Sequence, residues 1–418
     1  MSLLSLKFYF ISKKIHQMEG GDLKVTIDNS LERISAELLE NWRRTDLGLL
    51  SGKAGICLFL FYYGRAIDSR EHSSVGAEIL EDIFENIADI SSVAYSDGLA
   101  GIGWLIEHLD RNDFVEIDTK DILKDVDEVI FEWMIAEMNR ENFDFLYGAA
   151  GAVHYFLSKR IEKNTYLKEF LRILNEKASI FSNPKFIVWQ GFDLLKNEKA
   201  ERFNLGLSHG MASLLILLVQ IGERSICKEN TDILIQGLIS FFRWSKLDPD
   251  VNNCYFGSFI DVDRQVEEVF PSRFAWCYGD LGICVALWKA GKYLNDDGLK
   301  MDIIEIMKFN STRIDMSTNH VYDACLCHGT AGIASIFDYF YLETKMAVFK
   351  ESSIYWLKKS LYIGNYHSPG DYNYYDLVNK IWIKKYGLLE GTSGIGLYLT
   401  ANPNGVISWQ NCLMIADD

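Results

Sequence analysis

Two kinds of apolar segment alternate along the chain. One kind is apolar nearly all round: Ile56 to Tyr63, Met211 to Val219 and Ile283 to Trp288. A helix with no polar face is buried on every side, so these segments predict inner helices. The other kind keeps its charges on one face: Leu31 to Arg44, Val75 to Ile90, Ile122 to Met138, Tyr166 to Phe181 and Thr231 to Trp244. These predict outer helices. Only five prolines occur in 418 residues, so long helices meet few breakers.

A short motif marks the inner segments. Gly-x-x-Gly begins at Gly52, Gly98, Gly148, Gly279, Gly329 and Gly391, and a degenerate copy runs from Gly210 to Ser213. The seven starts lie 46 to 69 residues apart. An outer helix, an inner helix and their turns take roughly 35 to 50 residues at ordinary lengths. The unit is therefore a helical hairpin used seven times. Such units stack as an open solenoid or close into a ring. Fully buried inner helices need a second layer around them, so closure is the reading adopted. The expected fold is all-α: a double-layered α/α toroid of seven hairpins with a few long loops or short strands. One domain is expected over 1–418, with 1–30 as an N-terminal extension. Glycine at the helix starts would let backbones approach closely and leave N–H groups facing a central cavity. Asp248 to Pro271 and Asn365 to Lys380 read as long loops, which in compact domains are often functional.

Composition narrows the partners. The chain has 42 basic and 58 acidic residues and a net charge of −16. That excludes nucleic acid as the main partner, since phosphate binding needs a basic footprint, and favours a cationic peptide or protein. Eight cysteines are too few for a disulfide scaffold. Met1 to Ile11 is apolar but lacks a basic leader and a cleavage site, and is shorter than the roughly 20 residues a membrane span requires. A reduced, cytoplasmic protein is expected, with cysteines serving metals or catalysis.

Three such residues stand out. Cys277 lies in Trp276-Cys277-Tyr278-Gly279, and Cys327 and His328 lie in Cys327-His328-Gly329. Each sits at the start of an inner helix, so all three would face one cavity if the ring closes. Two thiolates and an imidazole suit a zinc site that keeps a fourth position open, and a thiolate gains from the positive end of a helix. Cys325 is a rival ligand. Cys57, Cys227, Cys254, Cys284 and Cys412 read as structural. His209 occupies the position before Gly210 that His328 and Tyr278 occupy before theirs, and could exchange a proton near neutral pH. Asp144 and Arg273 could reach the cavity, or form ordinary ion pairs.

Ser208-His209-Gly210, Trp276-Cys277-Tyr278-Gly279 and Cys327-His328-Gly329, in this order among seven Gly-x-x-Gly copies, resemble the lanthionine synthetase C family. The resemblance runs from about Leu31 to the end. It implies a double α-barrel with one catalytic Zn²⁺ held by Cys277, Cys327 and His328. It implies acid–base or electrostatic roles for His209, Asp144, Arg273 and Tyr278. The substrate it implies is a dehydrated lantibiotic precursor peptide, leader and core. Its cysteine thiols would add to dehydroalanine or dehydrobutyrine, giving lanthionine or methyllanthionine rings. A dehydratase and an ABC exporter in a membrane-associated complex are the implied partners. The absence of a kinase-like or dehydratase-like segment before the repeats predicts a dedicated cyclase. Ser213 and Leu281, where many members have glycine and proline, depart from the pattern, and the sequence does not locate the small insertion that some members carry. Two rivals are a non-catalytic relative that holds a thiol such as glutathione, and a glycoside-processing toroid. The second needs paired carboxylates, and the helix starts offer only Asp144, Asp280 and Glu390.

Overall fold

At every Gly-x-x-Gly a loop folds back over the start of the helix that follows. The computed structural model describes residues 20–159, 164–261, 272–366, 372–401 and 408–417. A Cβ at Gly52, Gly98 or Gly210 would lie 2.2, 2.3 and 2.2 Å from the carbonyl oxygen of Asp46, Ser92 and Asn204, each six residues back. A Cβ on the second glycine would collide in the same way: Gly332 and Gly394 would meet Leu326 O and Leu388 O at 1.9 and 1.8 Å. The motif is thus a steric requirement of the wrapped loop. In the degenerate copy Ser213 is buried, and its hydroxyl donates to Gly210 O at 2.8 Å.

The wrap also corrects one expectation. The first N–H groups of these helices do not face a cavity; loop carbonyls take them. Lys53 N donates to Asp46 O at 2.7 Å, Ala149 N to Asn142 O at 3.0 Å and Thr330 N to Asp323 O at 3.0 Å.

Among the described residues, fourteen long helices follow in outer–inner order: α1 (Gly20–Asn41), α2 (Lys53–Ala66), α3 (Arg70–Asn86), α4 (Leu99–Arg111), α5 (Lys124–Asn139), α6 (Ala149–Ser158), α7 (Thr165–Glu176), α8 (Met211–Glu223), α9 (Lys228–Ser245), α10 (Asp280–Leu294), α11 (Asp297–Ser311), α12 (Thr330–Thr344), α13 (Ala347–Tyr366) and α14 (Thr392–Ala401). The even-numbered helices are the inner layer. Successive inner helices touch all the way round, and α14 returns to pack on α2. The ring is therefore closed. In α2 every residue from Lys53 to Gly64 is buried, as its missing polar face requires. Outer helix α1, which begins at Gly20 inside the stretch expected as an extension, packs on α14 and α13. Met1 to Ile11 lies outside the described residues. Among the described residues no helix is long and apolar enough to cross a membrane.

Among the described residues, four two-stranded antiparallel ladders interrupt the helices. They are β1 (Ser179–Ser182) with β2 (Lys185–Val188), β3 (Phe192–Asp193) with β4 (Glu198–Lys199), β5 (Arg202–Asn204) with β6 (Phe259–Asp261), and β7 (Tyr374–Asp376) with β8 (Ile381–Ile383). The predicted helix Tyr166 to Phe181 ends at Glu176, and its tail becomes β1. The expected loop Asp248 to Pro271 holds a single helical turn, Pro249–Asn252, and β6; Asp263 and Pro271 lie outside the described residues.

The C-terminal segment fills the inner ring. From Trp409 to Ala416 no residue is more than 2 % exposed. Side chains from three hairpins hold its backbone and amide groups. Tyr95 Oη donates to Cys412 O at 3.1 Å, Trp104 Nε1 to Asn411 Oδ1 at 3.1 Å and Trp276 Nε1 to Leu413 O at 2.9 Å, while His154 Nε2 meets Asn411 O at 3.0 Å. Trp409→Ala should leave a cavity there. The expected cost is about 3–5 kcal/mol, read as a fall in the urea midpoint at unchanged slope.

Candidate metal and acid–base site

The seven wrapped loops converge on one cavity of about 830 Å³. Its floor is the residue two before each first glycine: Leu50, Ser96, Leu146, Ser208, Cys277, Cys327 and Leu389. The rim is the next residue, and six of the seven rim positions line the cavity: Ser51, Tyr147, His209, Tyr278, His328 and Glu390.

Floor residues are joined by main-chain hydrogen bonds that run round the ring. Leu50 N donates to Ser96 O at 2.8 Å and Ser96 N to Leu146 O at 3.0 Å. Ser208 N donates to Cys277 O at 3.3 Å, Cys277 N to Cys327 O at 3.3 Å, Cys327 N to Leu389 O at 3.0 Å and Leu389 N to Leu50 O at 2.9 Å. Among the described residues one link is missing, between Leu146 and Ser208. There a side-chain pair spans the gap: His209 Nδ1 meets Asp144 Oδ2 at 2.6 Å.

The structure brings Cys277, Cys327 and His328 together. Their ligand atoms lie within 4.8 Å of one another, and all three residues are buried. Hydrogen bonds from Cys327 and His328 hold the Cys277 thiol well below the ordinary thiol range. The same bond between the thiols, with burial, pushes Cys327 up. Two buried sulfurs beside an imidazole are a donor set suited to a soft divalent cation. The site geometry depends on Gly279, whose φ of +86° strains any L side chain. A Cβ there would also lie 2.4 Å from Arg273 O.

Cys325, the rival ligand, is buried behind His328 and does not line the cavity. Its sulfur accepts from His328 N at 3.5 Å, and burial raises its thiol to about 11. With Asp323 and His328 it forms a second cluster of potential ligands that shares His328 with the first.

His209 is gripped by Asp144, whose other oxygen accepts from Tyr147 N at 2.7 Å. Burial alone would lower the His209 pKa, but the Asp144 charge and hydrogen bond outweigh it, and the net shift is upward. Tyr278 lies beside His209 with ring centroids 6.0 Å apart, and its hydroxyl accepts from Asn204 Nδ2 at 3.3 Å. Burial keeps its phenol protonated well above the usual range. Arg273 lines the same cavity. Asp280 does not. It is fully buried, with Arg313 3.3 Å away, and accepts from Tyr255 N and Phe256 N. The carboxylate count of the glycosidase reading therefore falls.

Sequence reasoning missed several cavity residues. Arg273 lies six before Gly279, and the same offset from Gly391 gives Lys385, which also lines the cavity; from Gly329 it gives Asp323, which does not. Counting by that offset would have found Lys385. Lys385 pairs with Glu390 at 2.6 Å and sits 3.8 Å over the ring of Tyr374, which itself lies edge-on to His328 at 5.5 Å. Tyr374, Arg202 and Phe259 have no periodic signal, because they come from the short strands. The cavity also departs from the chain's acidic balance: Arg44, Arg202, Arg273, Lys384 and Lys385 line it against Asp46 and Glu390. The cationic partner expected from net charge gains nothing from this surface.

Comparisons with known proteins bear on the fold and the family. The chain is 22% identical over 429 residues to the nisin biosynthesis protein NisC of Lactococcus lactis subsp. lactis, covering 94% of this chain and 97% of that protein. A solved structure of a nisin cyclase superposes with a TM-score of 0.73 at 19% identity, covering 93% of this chain and 97% of the other. The family model described as lanthionine synthetase C-like protein matches residues 43–414, and the chain belongs to that family.

Proposed function

We propose that this protein is a zinc-dependent peptide cyclase that forms lanthionine or methyllanthionine thioether rings. The observation that carries the reading is one cavity lined by Cys277, Cys327, His328 and His209, with Asp144 hydrogen-bonded to His209 from outside that lining. The names of its relatives, a nisin cyclase and a nisin biosynthesis protein, support the same chemistry. Zinc held by Cys277, Cys327 and His328 would take a substrate cysteine and keep its sulfur deprotonated.

The remaining residues have distinct tasks. Addition of the sulfur to the β-carbon of dehydroalanine or dehydrobutyrine pushes an electron pair toward the neighbouring carbonyl. The α-carbon must then gain a proton. His209, with Nδ1 held by Asp144, offers that proton from Nε2. Arg273 stabilises the transient negative charge, and Tyr278, still protonated, adds a neutral donor. Leu50, Leu146 and Leu389 form the apolar half of the floor and keep water from the reacting carbons. The net reaction is an isomerisation: one C–S bond forms, and the thiol proton is replaced by the one on carbon. A partner dehydratase and exporter at the membrane, which the family resemblance implies, would supply the substrate and remove the product.

The test is incubation of purified protein and zinc with a dehydrated precursor peptide, followed by thiol alkylation. The expected result is a peptide of unchanged mass that no longer takes up alkylating agent. A peptide that is bound but still fully alkylated would favour the non-catalytic thiol-binding reading instead.

A further inference from the structure

We propose that Asp323 is a positioning residue that ties the metal ligand His328 to the wall hairpin β7–β8, so that metal occupancy and the order of that wall rise together. The proposal rests on the reading that Cys277, Cys327 and His328 hold zinc. It starts from a surplus. At the same offset in the second, third and fourth repeats stand Ser92, Asn142 and Asn204. Each uses one side-chain oxygen to accept its own turn N–H, from Ala94 at 3.3 Å, Asp144 at 3.3 Å and Gly206 at 3.0 Å. Asp323 does the same with Oδ1, which accepts from Cys325 N at 3.0 Å. The turn needs no more than this, and serine or asparagine supplies it elsewhere.

The second oxygen of Asp323 serves something else. Oδ2 accepts from Tyr375 N at 3.0 Å and lies 3.5 Å from His328 Nε2. Asp323 is fully buried, so no water competes for that oxygen. Nε2 is the ring nitrogen turned to Asp323, which leaves Nδ1 as the other donor His328 can offer a metal. A carboxylate behind a ligating imidazole fixes its tautomer and orientation.

Tyr375 links the same oxygen to the wall. It belongs to β7, which pairs with β8 over only three residue pairs, Tyr374 with Ile383, Tyr375 with Trp382 and Asp376 with Ile381. A lone two-stranded hairpin is marginal, so a buried anchor matters. Tyr374 of that hairpin packs on the His328 ring. Metal that orders His328 therefore stabilises the arrangement that also holds Tyr375, and by linkage an ordered hairpin favours metal binding.

The test uses the full chain and two variants, Asp323→Asn and Asp323→Ser. Both keep the acceptor that the turn needs, and both residue types already serve at this position in other repeats. Urea unfolding without metal checks that the fold survives. Zinc affinity is measured by competition with a chromogenic chelator, cobalt(II) spectra report the ligand field, and hydrogen exchange is followed at the Tyr375 amide. Zinc affinity should fall roughly 10–100-fold, the cobalt bands should shift, and zinc should slow Tyr375 exchange in the parent but not in the variants. A folded variant with zinc affinity within about twofold of the parent's, or with the parental exchange response, overturns the proposal while the proposed function stands. A parent that takes up no zinc overturns both.

Discussion

Cys277→Ala is expected to hold less than about a tenth of the parent's zinc and to close no rings, and Cys327→Ala should behave alike. Removal of one ligand leaves one thiol and one imidazole, too few for a stable tetrahedral site. The loss should be local. Cys277 is fixed by main-chain bonds, donating to Cys327 O and accepting from Leu207 N and Ser208 N, and alanine keeps all of these. Thermal unfolding without metal should therefore match the parent closely. Cys325→Ala is the informative control. Its sulfur sits behind His328 and off the cavity, so that variant should keep its zinc. Metal analysis of the three purified variants, followed by the alkylation assay on the peptide, gives the answer. Full zinc in Cys277→Ala, or loss in Cys325→Ala, would move the site to the rear cluster of Asp323, Cys325 and His328.

The ligands were legible because they sit in a repeat. Once seven helix starts are aligned, Cys277 and Cys327 fall at one position and His209, Tyr278 and His328 at the next, and position in a closed ring dictates which cavity a side chain lines. The toroid was legible for a related reason. The close approach of Leu326 O to Gly332 and of Leu388 O to Gly394 excludes every other residue type, so the fold writes glycine into the chain. What failed had no such periodicity. Strands of two to four residues, such as Phe192–Asp193, are too short for alternation to register, and Ser179–Ser182 continued the tail of an amphipathic pattern. The segment Trp409 to Ala416 carries Gln410 and Asn411, which look like loop residues until Trp104 and His154 are seen to satisfy Asn411. Asp323 was invisible for another reason: its role depends on Tyr375, fifty-two residues away.

His209→Ala should separate metal binding from proton delivery. The variant is expected to keep full zinc and to lose roughly 10²–10⁴ in cyclisation rate, the usual contribution of a positioned acid. Asp144→Asn is the subtler probe. Asparagine can still accept from Tyr147 N through Oδ1, so the turn survives, but the charge that lifts the His209 pKa is gone while the burial that lowers it remains. In the parent, protonated His209 persists above the ordinary histidine range, and rate should fall as pH rises through that raised value. In Asp144→Asn the alkaline limb should move to lower pH. The stability linkage has the same sign. A raised histidine pKa stabilises the fold fully below the unfolded value of about 6.5 and loses that contribution as pH rises through the folded value, so Asp144→Asn should cost most stability at low pH. If Asp144 acts only through His209, the double variant should cyclise no more slowly than His209→Ala alone. An additive double loss, or a pH profile that does not move in Asp144→Asn, would remove His209 as the acid and leave Tyr278 to be tested in its place.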